Sequence, residues 1–364
     1  MNNRNTGPTP LPPQVLTAMA QQPLSHRSAS FRDAFTRVAA RLATLVNSPA
    51  PALLLSCSGT GGLEAAIASL VSPTSRVLVL SAGAYGELLA RIAAHYTLQL
   101  DILSASPGSA LSAEAVAARL EHVRYDVILL THSESSTGIY HPVEAIIQAI
   151  RRHSEALVAV DVVSSVGACA IDMRAWEADV LIGATQKGLM APAGMAIIWL
   201  SARAEQHIAQ QPASSAYLHL RPWLEASRQQ SVPYTPAMNV FQGFEAALTM
   251  IFAEGLTVRY QRHQAAAARC RAFFSDDTRV RCFAPADAAG HSITALLLAE
   301  RVSATAVKNR LEQRYRTLVS TGLGPLTERL IRVGHMGHFT PDEVESALRA
   351  IALAVKEEEA VDGN

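Results

Sequence analysis

Between Ala52 and Leu200 the chain alternates short Val/Ile/Leu-rich runs with Ala-rich stretches whose apolar residues recur every three to four positions. Seven runs read as strands: 52–56 (ALLLS), 76–81 (RVLVLS), 98–103 (LQLDIL), 126–131 (DVILLT), 156–161 (ALVAVD), 179–185 (DVLIGAT) and 194–200 (GMAIIWL). Apolar runs separated by amphipathic helices such as SAEAVAARLEHV predict a mostly parallel sheet covered by helices, an α/β fold. Ahead of this region, Pro-rich text up to Pro13 predicts an extended arm, helical patterning begins near Val15, and a long helix after LSHRSAS buries Phe31, Phe35, Val38, Leu42 and Leu45. Beyond it, 211–236 reads as a polar, Pro-containing loop and about 240–274 as one long helical stretch. A smaller α+β unit follows, with strands at 291–299 and 329–336, a helix in SATAVKNRLEQRY and a last helix from about Pro341. The expected organisation is an arm over 1–14, a large domain over 15–254 and a small C-terminal domain over 255–364.

Composition narrows the class. With 364 residues, 49% hydrophobic and 17% charged, the chain has the make-up of a folded, Ala-rich globular protein. Basic and acidic residues balance at 31 each, so no global field draws in nucleic acid or an anionic membrane, and any anion site must be local. Cys57, Cys169, Cys270 and Cys282 form no C-x-x-C pair; no zinc site, other metal site or disulfide framework is expected, and a reducing compartment suits them. MNNRNTGPTPLPPQV lacks the apolar core of a signal peptide, and no run approaches the roughly 20 apolar residues that span a bilayer. The protein is read as cytoplasmic, without a membrane or nucleic-acid partner.

Ligands of open α/β sheets sit outside the carboxyl ends of the strands, so the residues after each run carry the chemistry. After 52–56 comes CSGTGGLEAAIASL, a glycine-rich turn running straight into a helix. Its backbone N–H groups, the Ser58 and Thr60 hydroxyls and the positive helix end suit a phosphate, although an ordinary strand-to-helix turn has the same look. Glu64 stands where the third glycine of G-x-G-x-x-G would fall and no G-K-[ST] follows, so a small phosphate ligand fits better than a dinucleotide. Tyr85, after 76–81, brings to the same edge an aromatic ring that either packs or stacks on a planar heterocycle. HSESSTGIY, after 126–131, carries His132 and Glu134 in a stretch too polar and too long for a simple turn. Asp161 closes a fully apolar strand, where a carboxylate is costly without a positive partner. IGATQKGLMAPAG then sets Lys187, one of few lysines, on a turn between two apolar runs. Desolvation there lowers the amine's pKa and leaves it able to attack a carbonyl, which a surface lysine would not do. Phosphate cradle, aromatic plate, buried carboxylate and buried lysine on one sheet edge describe a site for pyridoxal phosphate.

At these residues the chain resembles the class V branch of the fold-type I pyridoxal-phosphate enzymes, and within it the alanine–glyoxylate and serine–glyoxylate (serine–pyruvate) aminotransferases. The likeness extends over nearly the whole length, in GPTPLPPQV, SGTGGLEAAIASL, THSESSTGIYHPV, VDVVSSVGA, GATQKGLMAPAGMA, YTPAMN and STGLGPLTERLIRVGHMG. It implies that Lys187 forms a Schiff base with pyridoxal 5′-phosphate and that Asp161 pairs with the pyridine nitrogen, keeping the ring an electron sink. It further implies that Tyr85 stacks on the ring, that Gly59, Thr60 and Gly61 with Gln186 hold the phosphate, and that Ser135 contacts the region of the phenolic oxygen. Thr235, in YTP, would reach the phosphate of a neighbouring subunit in a homodimer with shared sites, and Arg332 would grip the substrate α-carboxylate through its planar fork. Two positions depart from the pattern: Val232 replaces a tyrosine three residues before Thr235, and LSHRSASF lacks the usual acidic residue before Phe31.

The implied reaction moves an amino group from an alanine- or serine-type donor to glyoxylate or pyruvate by ping-pong turnover, with Lys187 as general base and acid. A 2-aminoethylphosphonate-type transaminase and a lyase or desulfurase are the alternatives on the same fold. Against a desulfurase, Gln186 stands where a histidine would precede the lysine, and no cysteine closely precedes Arg332. His335 and His338 read as structural or substrate-adjacent, not as metal ligands.

Overall fold

The computed structural model describes residues 1–362. All seven runs form strands of one sheet: β1 (Leu53–Leu55), β2 (Val77–Ser81), β3 (Leu100–Ser104), β4 (Val127–Thr131), β5 (Leu157–Asp161), β6 (Val180–Ala184) and β7 (Ala196–Leu200). The order is β1-β7-β6-β5-β4-β2-β3. β7 runs antiparallel to both its neighbours, and the remaining pairs are parallel. The inner strands are buried on both faces, which is why they read as unbroken apolar runs; edge strand β3 keeps Asp101 and leaves Ile102 half exposed.

The helices are α1 (Pro13–Met19), α2 (Ala29–Leu45), α3 (Gly59–Leu70), α4 (Ala84–Ala93), α5 (Ala113–His122), α6 (Val143–His153), α7 (Ala202–Gln210), α8 (Arg221–Arg228), α9 (Met238–Glu254), α10 (Leu256–Phe273), α11 (Ala304–Tyr315) and α12 (Pro341–Asp362), beside a four-residue turn of helix at Met173–Trp176. Side chains alternate along each strand, so Leu54, Leu78, Ile128, Val158 and Leu181 meet α2, α5, α6 and α9 on one face. Leu53, Val79, Leu129, Ala159 and Ile182 meet α3, α4, α7 and α8 on the other.

A second sheet, antiparallel, contains β8 (Val280–Cys282), β9 (Ile293–Leu298), β10 (Ser320–Thr321) and β11 (Leu330–Gly334) in the order β8-β9-β11-β10. It packs on α10, α11 and α12 through Cys270, Phe274, Val307, Leu311, Ile351 and Val355.

Two expectations are corrected. The region 211–236 is not a loop throughout: Arg221–Arg228 is a short amphipathic helix burying Trp223 and Leu224, concealed by Pro222 in its first turn and the polar text around it. The stretch 240–274 is two helices, parted at Gly255 with φ +83°. The extended arm is also more tied down than its composition indicates. Asn2–Asn3 pairs in parallel with Thr317–Leu318, Gly334 N–H donates to the Arg4 carbonyl at 2.7 Å, and Thr9 N–H donates to the Gln186 carbonyl at 2.9 Å. The arm is therefore a strap from the small sheet to the turn that carries Lys187. Among the described residues no helix is long and apolar enough to cross a membrane.

Candidate active site

At the carboxyl ends of β1, β5 and β6 lies a cavity of about 150 Å³ lined by Ser58, Gly59, Thr60, Tyr85, Asp161, Gln186 and Lys187. A larger cleft, of about 500 Å³, lies at the opposite edge, where Asp126 and Ala156 lead into β4 and β5. It brings no helix N-terminus and buried lysine together, and it is not where an α/β sheet presents its ligand loops.

The first wall is the start of α3. Ser58 caps it: its Oγ accepts from Gly61 N–H at 3.1 Å and its carbonyl from Gly62 N–H at 3.0 Å. The Gly59 and Thr60 amides, first in the helix, have no carbonyl one turn earlier and so remain donors for an anion, aided by the helix dipole. The Gly61 amide is engaged by Ser58, and a Cβ there would come 2.9 Å from Cys57 Cβ, so the turn stays tight only with glycine.

The second wall is α4, and here Glu134, noted in the sequence without a role, acquires one. Glu134 is fully buried, and its carboxylate accepts from the Tyr85 and Gly86 amides at 3.1 and 3.0 Å and from the Ser136 amide at 3.1 Å. It caps the start of α4 from a distant loop and so holds Tyr85 at the cavity. The signal was available in the unusual polarity of HSESSTG, whose residues are shut away from solvent rather than solvated.

Asp161 and Lys187 form the floor. Register pairs Asp161 with Thr131 on β4 and with Ile182 on β6, so its backbone is locked in the middle of the sheet. One carboxylate oxygen accepts from Val163 N–H at 2.8 Å. Burial pushes the carboxyl up to about 7, with Glu134 pushing the same way and Lys187 and the Val163 amide opposing. Lys187 Nζ donates to the Thr6 carbonyl at 2.6 Å, lies 3.4 Å from Ser164 Oγ and stands 5.9 Å from the centre of the Tyr85 ring. Burial lowers its ammonium to about 8, aided by Arg332 and resisted by Asp161. Gly7 explains how the arm comes so near: its φ is +116°, and a Cβ there would lie 2.5 Å from Lys187 Cδ.

Arg332 lies outside the cavity lining but close by, on β11, buried and with its guanidinium pushed down by burial. Its Nε donates to the Thr321 carbonyl at 2.7 Å and its Nη1 to the Ser135 carbonyl at 2.9 Å, and the Tyr85 hydroxyl beside it favours its charge. Ser135 Oγ and Gln186 Oε1 are buried with no partner among the described residues, the mark of groups awaiting a ligand. Thr235 is not brought to this cavity; it is exposed on the loop after α8, beside the stacked Tyr217 and Tyr234 rings. His335 is buried on Thr294 Oγ1 at 3.0 Å, and His338 is exposed.

A buried lysine and carboxylate facing a helix N-terminus across this sheet order define a fold-type I enzyme of the pyridoxal-phosphate class. The chain belongs to the class V aminotransferases, whose family model matches residues 1–350. It is similar to the soluble hydrogenase small subunit of Synechococcus sp. (strain PCC 6716), 30% identical with 96% of this chain and 92% of the relative covered. It is also similar to the L-aspartate–glyoxylate aminotransferase of Paracoccus denitrificans (strain Pd 1222), at 28% identity over 96% of this chain and 88% of that protein. The solved structure of an alanine–glyoxylate aminotransferase from Nostoc sp. superposes with a TM-score of 0.91 at 27% identity, covering 97% of this chain and 94% of that one. The protein is an aminotransferase, and its cofactor is pyridoxal 5′-phosphate. The residues fit that group: free helix-start donors for a phosphate with the Gln186 side chain beside them, an unpartnered Ser135 hydroxyl, a buried carboxyl for a ring nitrogen and a lysine of lowered pKa for an aldehyde.

Proposed function

We propose that this chain transfers the amino group of a small amino acid of the alanine or serine type to a small 2-oxo acid, glyoxylate or pyruvate, in a ping-pong cycle. The observation that carries the reading is the convergence of Lys187, Asp161, Tyr85 and the start of α3 on one small cavity with Arg332 beside it. The cofactor, when bound through Lys187, supplies an electron sink for the charge left on the substrate Cα. Gly59 and Thr60 hold its phosphate with Gln186, Gly61 keeping the turn tight enough for them to do so. Asp161 would pair with the ring nitrogen and keep it protonated, Tyr85 would stack on the ring, and Ser135 Oγ would donate near the phenolic oxygen. Lys187 Nζ, neutral in part near pH 8, would take the Cα proton as general base and hold it for return as general acid. Arg332 binds the α-carboxylate through its guanidinium and thereby orients the Cα–H bond. Thr235, exposed and away from its own cavity, serves the phosphate of a second copy, so the working form is a homodimer in the cytoplasm. Relatives named for glyoxylate support small substrates.

The test is a two-stage assay of wild type and Lys187→Ala, reconstituted with pyridoxal 5′-phosphate and given L-alanine, L-serine or 2-aminoethylphosphonate, then glyoxylate. Oxo acid released stoichiometrically in the first stage and glycine in the second, both absent from Lys187→Ala, is the expected result. Ammonia or sulfide instead of a stored amino group would replace this reading with a lyase.

A further inference from the structure

Arg259, in the first turn of α10, is an arginine with no exposed surface. Its Nε donates to the Gly167 carbonyl at 2.8 Å, its Nη2 to the Gly188 carbonyl, and its Nη1 to Glu254 at 2.7 Å with Met190 Sδ at 3.9 Å. The two carbonyls belong to different loops. Gly167 ends the segment that leaves β5 through Asp161 and Ser164, and Gly188 follows Lys187 directly. These loops touch backbone to backbone: a Cβ on Gly188 would come 2.4 Å from the Val166 carbonyl oxygen. No side chain separates them, so the two carbonyls would sit side by side without donors if Arg259 were absent, a costly arrangement in a dry interior. Arg259 answers both at once because a guanidinium carries N–H groups on one rigid planar edge, which a lysine ammonium does not.

The same helix turn leads on to the substrate side. Glu254 also receives Arg262 Nε at 2.6 Å, Arg262 Nη2 reaches the Gly337 carbonyl at 3.2 Å, and His263 Nε2 accepts from Gly337 N–H at 3.2 Å. Gly337 lies just past β11, the strand of Arg332. One turn of α10 thus holds the Asp161 loop, the Lys187 turn and the end of the Arg332 strand.

We propose that Arg259 is a positioning residue for Lys187: its fork joins the Gly167 and Gly188 carbonyls and so sets where the lysine nitrogen stands relative to Asp161. The inference rests on the role of Lys187 given above. Arg259 touches neither substrate nor cofactor, so its loss displaces the base without removing the carboxylate contact of Arg332.

The test uses the reconstituted holoenzyme as wild type, Arg259→Lys and Arg259→Met, with thermal melting to confirm folding and Val307→Ala as a core variant of reduced stability remote from the loops. Arg259→Lys keeps the charge and loses the fork; if Arg259→Met does not fold, it carries the test. The expected result is a fall in kcat of about 10- to 100-fold with KM for the amino donor changed less than about 3-fold. The pH midpoint of the Lys187 Schiff-base absorbance is expected to move by about half a pH unit or more in the Arg259 variants and to stay in place in Val307→Ala. A folded Arg259→Lys whose midpoint and kcat match wild type overturns the inference while leaving the function intact. A wild type that forms no Schiff-base absorbance overturns the reading of Lys187, and this inference with it.

Discussion

Asp161 resists ionising in the folded chain, and the direction of that penalty can be measured. Its folded value of about 7 lies above the ordinary 3.8, so the penalty is absent below about pH 4, grows as pH rises and is complete above about 7. In the apo-protein Asp161→Asn is therefore expected to melt higher relative to wild type as pH goes from 4 to 8, by on the order of a few kcal/mol of stability, while binding the cofactor more weakly. A difference in melting temperature that does not grow with pH would contradict this account. Lys187 has the opposite sense: lowered from 10.5 to about 8, its penalty is full below pH 8 and fades as pH rises toward 10.5. Arg332→Gln removes one charge-assisted contact to the substrate and the donor to the Ser135 carbonyl, so kcat/KM for the amino donor should drop roughly 10- to 150-fold, a larger change than that in cofactor affinity by titration. Gly7→Ala places a methyl against the Lys187 stem, and saturation with the cofactor should need a higher concentration; unchanged affinity would mean that the arm yields there.

At the scale of elements, α3 and α4 are both started by groups that also shape the cavity. Ser58→Ala removes the α3 cap and should cost about 1 kcal/mol in denaturant unfolding. Glu134→Ala strips the Tyr85, Gly86 and Ser136 amides of a common buried acceptor and should cost more, about 2 to 3 kcal/mol, with weaker cofactor binding because Tyr85 is no longer held. An equal loss in the two variants would argue against Glu134 as the anchor of α4. The strands were legible because burial on both faces leaves an apolar run, whereas α8 was not, since eight residues entered through a proline inside polar, Pro-containing text read as loop. The break at Gly255 was equally hidden, because a glycine inside helical text is compatible with a continuous helix.

Across the whole molecule the arm, the large sheet and the small sheet meet at Lys187, and most of what surrounds the lysine comes from far away in the chain. Thr6 lies 181 residues from it and Gly167 and Gly188 are tied by an arginine on α10. Sequence alone was sufficient for the seven strands, the glycine turn, Asp161 and Lys187, because each follows from local physics: apolar runs need burial, a glycine turn frees N–H groups, and a charge closing an apolar strand is costly without a partner. Tertiary structure alone decided the partners: Glu134 under α4, the Thr6 carbonyl on Lys187, the Ser135 carbonyl on Arg332 and Arg259 beneath two loops. Hydrogen bonds to backbone carbonyls and amides carry no residue-type signature at the backbone end, so no pattern of letters announces them; only the folded path of the chain brings them within reach.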